Sequence, residues 1–117
     1  MRAFQRVLLE VHELEKNPVD PGEVYYLEAE GEETLVRFRG SRPFRDRRAL
    51  GELFPLFDPH GFTRIHRNHA VNLRHVLLIR RRKGVDDWEV RLKPPVNRVL
   101  PVSRSRLKAL LKAFGAE

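Results

Sequence analysis

The eleven residues FTRIHRNHAVN, 62 to 72, hold two arginines, two histidines and two asparagines, with Ile65, Ala70 and Val71 set among them. Hydrogen-bonding groups at this density have three chemical uses: metal binding, acid–base catalysis, or recognition of a polyanion. Metal binding fails on spacing. On one continuous strand His66 and His69 point to opposite faces. No H-E-x-x-H is present, and no carboxylate is spaced to complete a site with His60, His66, His69 or His75. Catalysis fails on partners. The acidic cluster Glu28, Glu30, Glu32 and Glu33 is paired with no nucleophile or base, and neither a P-loop nor a G-x-G-x-x-G occurs. The reading is therefore of a non-enzyme with no metal and no cofactor.

Polyanion recognition suits the residues better. Arginine is the best side chain for guanine, because its fork donates to both O6 and N7 in the major groove. Arg67 stands beside Asn68, and Arg104 stands between Ser103 and Ser105. Each lies at a break in the periodic pattern, where a loop tip or a helix start can present a guanidinium. Backbone amides near Ser103 and Ser105 can take a phosphate, since a helix N-terminus favours anions. The run Arg80, Arg81, Arg82, Lys83 and the nearby Arg106 are further candidates for phosphate contacts. Asn72 reads as a turn-former that bonds its own backbone. Arg64 alternates with Ile65 and reads as solvent-facing or paired with an acid.

Charge is segregated along the chain. Residues 1–58 carry 9 Lys/Arg against 12 Asp/Glu, and residues 59–117 carry 14 against 4, within a total of +7. A basic half that also contains the polar stretch points to nucleic acid first and to an anionic membrane surface second. The 117 residues suffice for one domain with a real core. There are no cysteines, which removes disulfides and thiolate zinc sites. No apolar run approaches the roughly 18 residues of a membrane span. The start MRAFQRVLLEV has no h-region and no cleavage site, so no signal peptide is expected and the cytoplasm is the default location.

The elements that must position these residues are mostly strands. QRVLLEVHEL alternates as a strand, and NPVDPGE (17–23) is a turn cluster. VYYLEAE (24–30) and TLVRFRG (34–40) flank Gly31 as a hairpin. DRRALGELF (46–54) reads as a short helix with Asp46 as N-cap and Pro55 as its stop. FTRIHR and HVLLIRRR read as strands around an irregular link, GVDD as a turn, and WEVRLK and RVLPVS as strands separated by KPPVN. The tail SRSRLKALLKAFG is the clearest helix, capped by Ser103 or Ser105 and ended by Gly115. Leu107, Leu110, Leu111 and Phe114 form its apolar stripe. Tyr25, Phe38, Phe54, Phe57, Phe62 and Trp88 are expected in the core. The pattern holds no helix-turn-helix pair, so a DNA reader of this kind works with loops, strand ends or a helix start.

Three motifs in this order resemble one family. FTRIHRNHAVNL (62–73), then Val76, Ile79 and the Trp88 strand, then LPVSRSRL (100–107) before a leucine helix, are similar to the LytTR domain, the LytR/AlgR-type DNA-binding domain of bacterial response regulators. VYYLEAEGEETLVRF resembles its I-x-Y-I-E-A segment, and ALGELFPLF stands where the family has a short leucine helix. The resemblance covers about residues 5 to 114. Asn68 departs from the family's usual serine, and Glu33 replaces a residue that is commonly aromatic or polar. The resemblance implies an elongated β-sandwich with one short inner helix and a C-terminal helix. It also implies binding of double-stranded DNA on paired direct repeats, with loops entering successive major grooves. It places contacts in the loop Glu30 to Thr34, at His66, Arg67 and Asn68, and at Ser103 and Arg104. In the acidic loop, where carboxylates repel phosphate, Thr34 or backbone groups are the expected contacts. The family's usual N-terminal receiver does not fit in 117 residues, so the chain reads as a free-standing regulator or as part of a longer one.

The expected function is a bacterial transcriptional regulator that binds duplex DNA by sequence. Phosphates anchor the basic half, and Arg67 and Arg104 read guanines in adjacent grooves one turn apart. Self-association is expected on DNA. The alternative is a protein-interaction module that uses the acidic N-terminal third, residues 1–36, with 3 Lys/Arg against 9 Asp/Glu. Non-specific RNA binding would require aromatic residues exposed on a sheet, and none is evident.

Overall fold

The run Val24 to Leu27 is buried at all four positions, although a sheet with one wet face buries alternate residues. The strand that carries it therefore has packing on both sides. The computed structural model, which describes residues 5–12, 15–40, 42–83 and 87–115, shows how. In chain order the strands are β1 (Val7–His12), β2 (Glu15–Val19), β3 (Val24–Glu30), β4 (Glu33–Phe38) and β5 (Phe44–Asp46). Helix α1 (Leu50–Phe57) follows. Then come β6 (Phe62–His66), β7 (His69–Asn72), β8 (Val76–Arg81), β9 (Trp88–Leu92), β10 (Val99–Val102) and helix α2 (Arg104–Ala113). No helix among the described residues is long and apolar enough to cross a membrane.

The central sheet has the order β5-β4-β3-β7-β6, and every pairing in it is antiparallel. One cluster joins Val24 and Leu27 of β3 to the β1–β2 hairpin (Val7, Leu9, Val19) and to Leu50, Leu53 and Phe57 of α1. The other joins Tyr25 and Tyr26 to Ile65, Val71 and the three-stranded sheet β10-β9-β8 (Val90, Leu92, Leu100), with Leu110 of α2. A register shift between Val24 and Tyr26 lets two consecutive tyrosines serve the same cluster. Tyr25 also stacks on His75, with centroids 4.0 Å apart, and His75 Nε2 hydrogen-bonds to Gly22 O at 2.7 Å.

The mostly-β architecture with two helices agrees with the sequence reading, as does the β3–β4 hairpin. Several elements differ. The link after Arg67 is not irregular: His69 to Asn72 form β7, which is buried throughout and pairs with both β3 and β6. Part of the turn cluster 17–23 is strand, since Asn17, Pro18 and Val19 belong to β2. Helix α1 lies later than expected, with Ala49 rather than Asp46 at the cap and Pro55 inside it. Leu50, Leu53 and Phe57 fall on one face and are fully or almost fully buried, which outweighs the single amide that Pro55 withholds next to exposed Gly51. Phe38, Phe54 and Trp88 are only half-buried. Residues 84–86 of the GVDD turn lie outside the described set.

Two polar clasps hold the layers. Asp46 is fully buried. Its Oδ2 accepts from Glu10 N at 2.8 Å and from Arg48 Nη2 at 3.0 Å, and its Oδ1 accepts from Arg48 N and Nε. Burial pushes this carboxyl up, but the Arg48 side chain and the two amides hold it below the usual range. The second clasp spans the two sheets. Arg98, just before β10, donates to both oxygens of Glu28 on β3 at 2.8 Å and to Tyr26 Oη at 2.6 Å. His69 Nε2 meets Glu28 Oε2 at 2.8 Å. Here too burial is outweighed, by the hydrogen bonds from Arg98 and His69, so Glu28 is held below its ordinary value.

Both carboxyls have a lower pKa folded than unfolded. Their contribution to stability is complete above their ordinary values of 4.5 and 3.8, and is lost as pH falls through the depressed folded values. Urea midpoints are therefore expected to hold from pH 5 to 7 on account of these groups and to drop below about pH 4.5. Asp46→Asn is expected to lower the unfolding free energy by about 3 kcal/mol at pH 7, because it removes the buried carboxylate and leaves the Arg48 guanidinium only Leu8 O and the longer 3.7 Å contact with Glu10. It also removes part of the acid dependence. An Asp46→Asn midpoint equal to that of the parent would show the first clasp to be dispensable.

Candidate nucleic-acid interface

Strands β6 and β7 meet through the two-residue turn Arg67–Asn68, with His66 opposite His69. Two-residue hairpins usually adopt mirror-image turns with positive φ. Neither Arg67 nor Asn68 has a positive φ. Side chains and a neighbouring strand hold this turn instead. Asn68 N donates to His66 Nδ1 at 3.1 Å, and Asn68 O accepts from Ala29 N of β3 at 2.8 Å. Arg64 Nη2 donates to Arg67 O at 2.7 Å, and its Nε reaches His66 O at 3.5 Å. Arg64 is thus neither solvent-facing nor paired with an acid; it clamps the turn from beneath, over the ring of Phe54 at 5.8 Å. Burial, and then the charge of Arg106, lower the Arg64 pKa.

The hairpin also brings the His66 and His69 rings to 5.5 Å, correcting the expectation that they face apart. The turn reverses the chain, so the two become cross-strand neighbours. No group of three or more metal-binding side chains forms among the described residues. His69 is buried, held by Glu28 through Nε2, while its Nδ1 has no hydrogen-bond partner there. His66 is half-buried. Burial, followed by the charges of His69, Arg67, Arg106 and Arg64, lowers its pKa and favours the neutral ring.

The second motif is fastened to the first. Between Arg64 and His66 the β6 register shifts, so Ile65 drives its side chain into the core and turns its carbonyl outward to the start of α2. Ser103 N donates to Ile65 O at 2.8 Å. Ser103 sits at the N-cap position, but neither serine hydroxyl caps the helix; Ser103 Oγ and Ser105 Oγ lie 3.4 Å apart. Arg104 and Ser105 are exposed and Arg106 is half-buried. At the far end Phe114 is 40% exposed, outside the apolar stripe assigned to it.

A groove is lined by His66, Ser103, Arg104, Arg82 and Trp88, together with Val99 and Pro101. Beside it, Arg80 to Lys83 surround Glu89 in a second depression. Arg80 Nε meets Glu89 Oε2 at 2.6 Å, and Arg82 lies 3.8–3.9 Å from Glu89 and Asp87, so two of the four cations are already engaged. Arg81 and Lys83 are exposed. The structure thus gathers His66, Ser103, Arg104 and Arg82 around one groove, with the rest of the Arg80–Lys83 run beside it; Arg67 and Asn68 follow His66 in the turn, and Ser105 follows Arg104 in α2. It does not bring Thr34 there. Thr34 is fully buried and its hydroxyl donates to Arg48 O at 2.9 Å, so Thr34 is a structural residue and not a surface contact. In the acidic loop, Arg45 instead pairs with Glu30 and Glu33.

Arg64 and the half-exposed Trp88 join Thr34, Asp46 and Phe114 among the residues that sequence reasoning misplaced. The bulge at Ile65 registers Arg64 against Ala70 and His66 against His69, which point to opposite faces of β7, so strict alternation along β6 gave no signal for Arg64.

The family model of the LytTr DNA-binding domain matches residues 15–115. A similar solved structure is the LytTr DNA-binding domain of a Bacillus cereus protein described as a methyl-accepting/DNA response regulator. It is 25% identical, with a TM-score of 0.73, and the alignment covers 94% of this chain and 96% of that one. No protein of curated function matches the sequence. A match over this much of the chain, with the fold and motif placement just described, shows that the chain belongs to the LytTr DNA-binding domain family.

Proposed function

We propose that the β6–β7 turn, the start of α2 and the end of β8 form one face that reads duplex DNA by sequence, in bacterial transcription control. The Ser103 N–Ile65 O bond carries this reading, because it holds the two arginine-bearing motifs side by side around a shared groove. Arg67 and Arg104 take guanine edges, and His66 and Asn68 take neighbouring base edges. Beyond Ser103, whose amide is taken by Ile65 O, the backbone N–H groups of the first turn of α2 at Arg104 and Ser105 donate to a phosphate. Arg81, Lys83 and Arg106 contribute further phosphate contacts, with Arg80 and Arg82 in support. A phosphate near Arg106 also relieves its repulsion of Arg64.

The adjacency of the motifs favours a single stretch of major groove over two grooves a full turn, about 34 Å, apart. Two copies on direct repeats then supply the second contact. The protein-interaction alternative has less support, since Glu10, Glu28, Glu30 and Glu33 are already paired with Lys16, Arg48, Arg98 and Arg45.

Selection from a random duplex pool at about 150 mM salt, near physiological ionic strength, tests the proposal. A recovered motif bound well above a scrambled duplex supports it; equal weak binding to both sinks it. On the recovered site, Arg104→Ala is expected to lose about 1–3 kcal/mol of discrimination at one guanine with an unchanged urea midpoint. Equal loss on all sequences would make Arg104 a phosphate contact. Arg81→Gln and Lys83→Gln are each expected to lower the salt slope by about one unit. Arg80→Gln and Arg82→Gln should change it less, because Glu89 and Asp87 already neutralise them. Four slopes equal to that of the parent would show that this run only meets solvent.

A further inference from the structure

We infer that His66 is a one-way reader: its outer ring nitrogen only donates, so it selects a base-edge acceptor (purine N7, guanine O6 or thymine O4) and rejects the amino groups of adenine and cytosine. This inference rests on the DNA reading above and adds to it the polarity of one contact.

The argument begins at the turn. Asn68 N donates to His66 Nδ1 at 3.1 Å, so that nitrogen holds a lone pair. A neutral imidazole then carries its proton on Nε2. Nε2 has no hydrogen-bond partner among the described residues, and His66 lines the groove beside Ser103 and Arg104. The tautomer with an accepting Nε2 would set Nδ1–H against the Asn68 N–H, donor against donor.

The same holds if the ring becomes charged. The charges that act on it are His69 of β7, Arg64 and Arg67 of β6 and its turn, and Arg106 of α2, all of which oppose protonation; the groove's Asp87 and Glu89 are engaged by Arg82 and Arg80. A nearby phosphate would favour it. In either state Nε2 keeps its hydrogen, so the polarity at the DNA does not change. The amino groups of adenine N6 and cytosine N4 are donors in the major groove. Facing Nε2–H, they leave two donors unpaired, which costs more than a missing contact.

Two measurements test this. Long-range proton–nitrogen spectra of the DNA-free protein at pH 7.5 identify the protonated ring nitrogen directly. A proton on Nε2 is expected; a neutral ring protonated on Nδ1 overturns the inference and leaves the DNA reading standing. On the selected duplex, base-edge groups are then removed one at a time, with 7-deazapurines for N7 and analogues without the amino group for adenine and cytosine. The parent is expected to lose about three- to tenfold in affinity at one acceptor position. His66→Asn should show the same loss on the unmodified duplex and be indifferent to that deletion. Its Oδ1 can still take the Asn68 amide, which keeps the turn, while nothing reaches the position of Nε2. His66→Gln, whose amide nitrogen does reach it, should recover part of the affinity. If the parent instead loses affinity on removal of an amino group and His66→Asn does not, the polarity is reversed and the inference fails. Equal loss by His66→Asn on selected and scrambled duplexes assigns His66 to phosphate and also overturns it. If no duplex is preferred by the parent, the DNA reading and this inference fall together.

Discussion

The hydrogen bond from Ser103 N to Ile65 O is the constraint on which the side proposed to meet DNA depends. Ile65 is fully buried, so its position follows from core packing rather than from the surface. The register shift around it leaves its carbonyl unused by β7 and turns it to α2. Helix α2 is thereby placed by the same core that places the hairpin. Leu110 sits in that core from the other end of the helix, so α2 is fixed at two points about two turns apart. The backbone positions of the arginines beside these anchors are set by the same two attachments.

The hairpin tip is built by local hydrogen bonding. The polar groups in and beside the turn serve structural bonds: Arg64 to the carbonyls of His66 and Arg67, Asn68 N to the histidine, and Ala29 N of β3 to Asn68 O. This leaves the Arg67 side chain, the Asn68 side chain and the outer edge of His66 for a partner. A site held in this way is preorganised, which limits the ordering cost on binding. The Glu28–Arg98–His69 clasp supports it from below, since His69 lies against the His66 ring.

Much of this was legible in the sequence, and the failures have physical causes. The alternating strands β1, β4 and β9 and the heptad-like stripe of α2 were readable because each has one wet face. Strand β7 was missed because HAVN is buried on both faces and carries two polar residues whose partners, Glu28 for His69 and the carbonyls of Pro21 and Val24 for Asn72, are distant in sequence. The turn role of Asn72 was still visible, since its Oδ1 accepts from Arg74 N just two residues on. Asp46 looked like a helix cap because aspartate at such a place usually is one; burial against Arg48 and the Glu10 amide redirected it. Thr34 was misassigned for a related reason: a short hydroxyl beside acidic residues gives no local sign that Arg48 O, fourteen positions away, will take it inside. The His66, Arg67 and Ser103, Arg104 motifs were found through family likeness. Their fastening to one another could not be, because a backbone bond between positions 65 and 103 leaves no side-chain signature.

The bare cap of α2 carries a cost of its own. A side-chain cap at that position commonly adds about 1 kcal/mol to a helix, and the Ser103 hydroxyl does not supply it. The chain forgoes that gain and leaves the amides of the first turn without an acceptor from the Ser103 side chain. A carboxylate cap would make a more robust molecule, and under the proposed reading it would do so by occupying the place kept for phosphate. Stability and recognition compete here for the same few N–H groups, so a search for hardier variants would be drawn to this position first and would find the trade-off there.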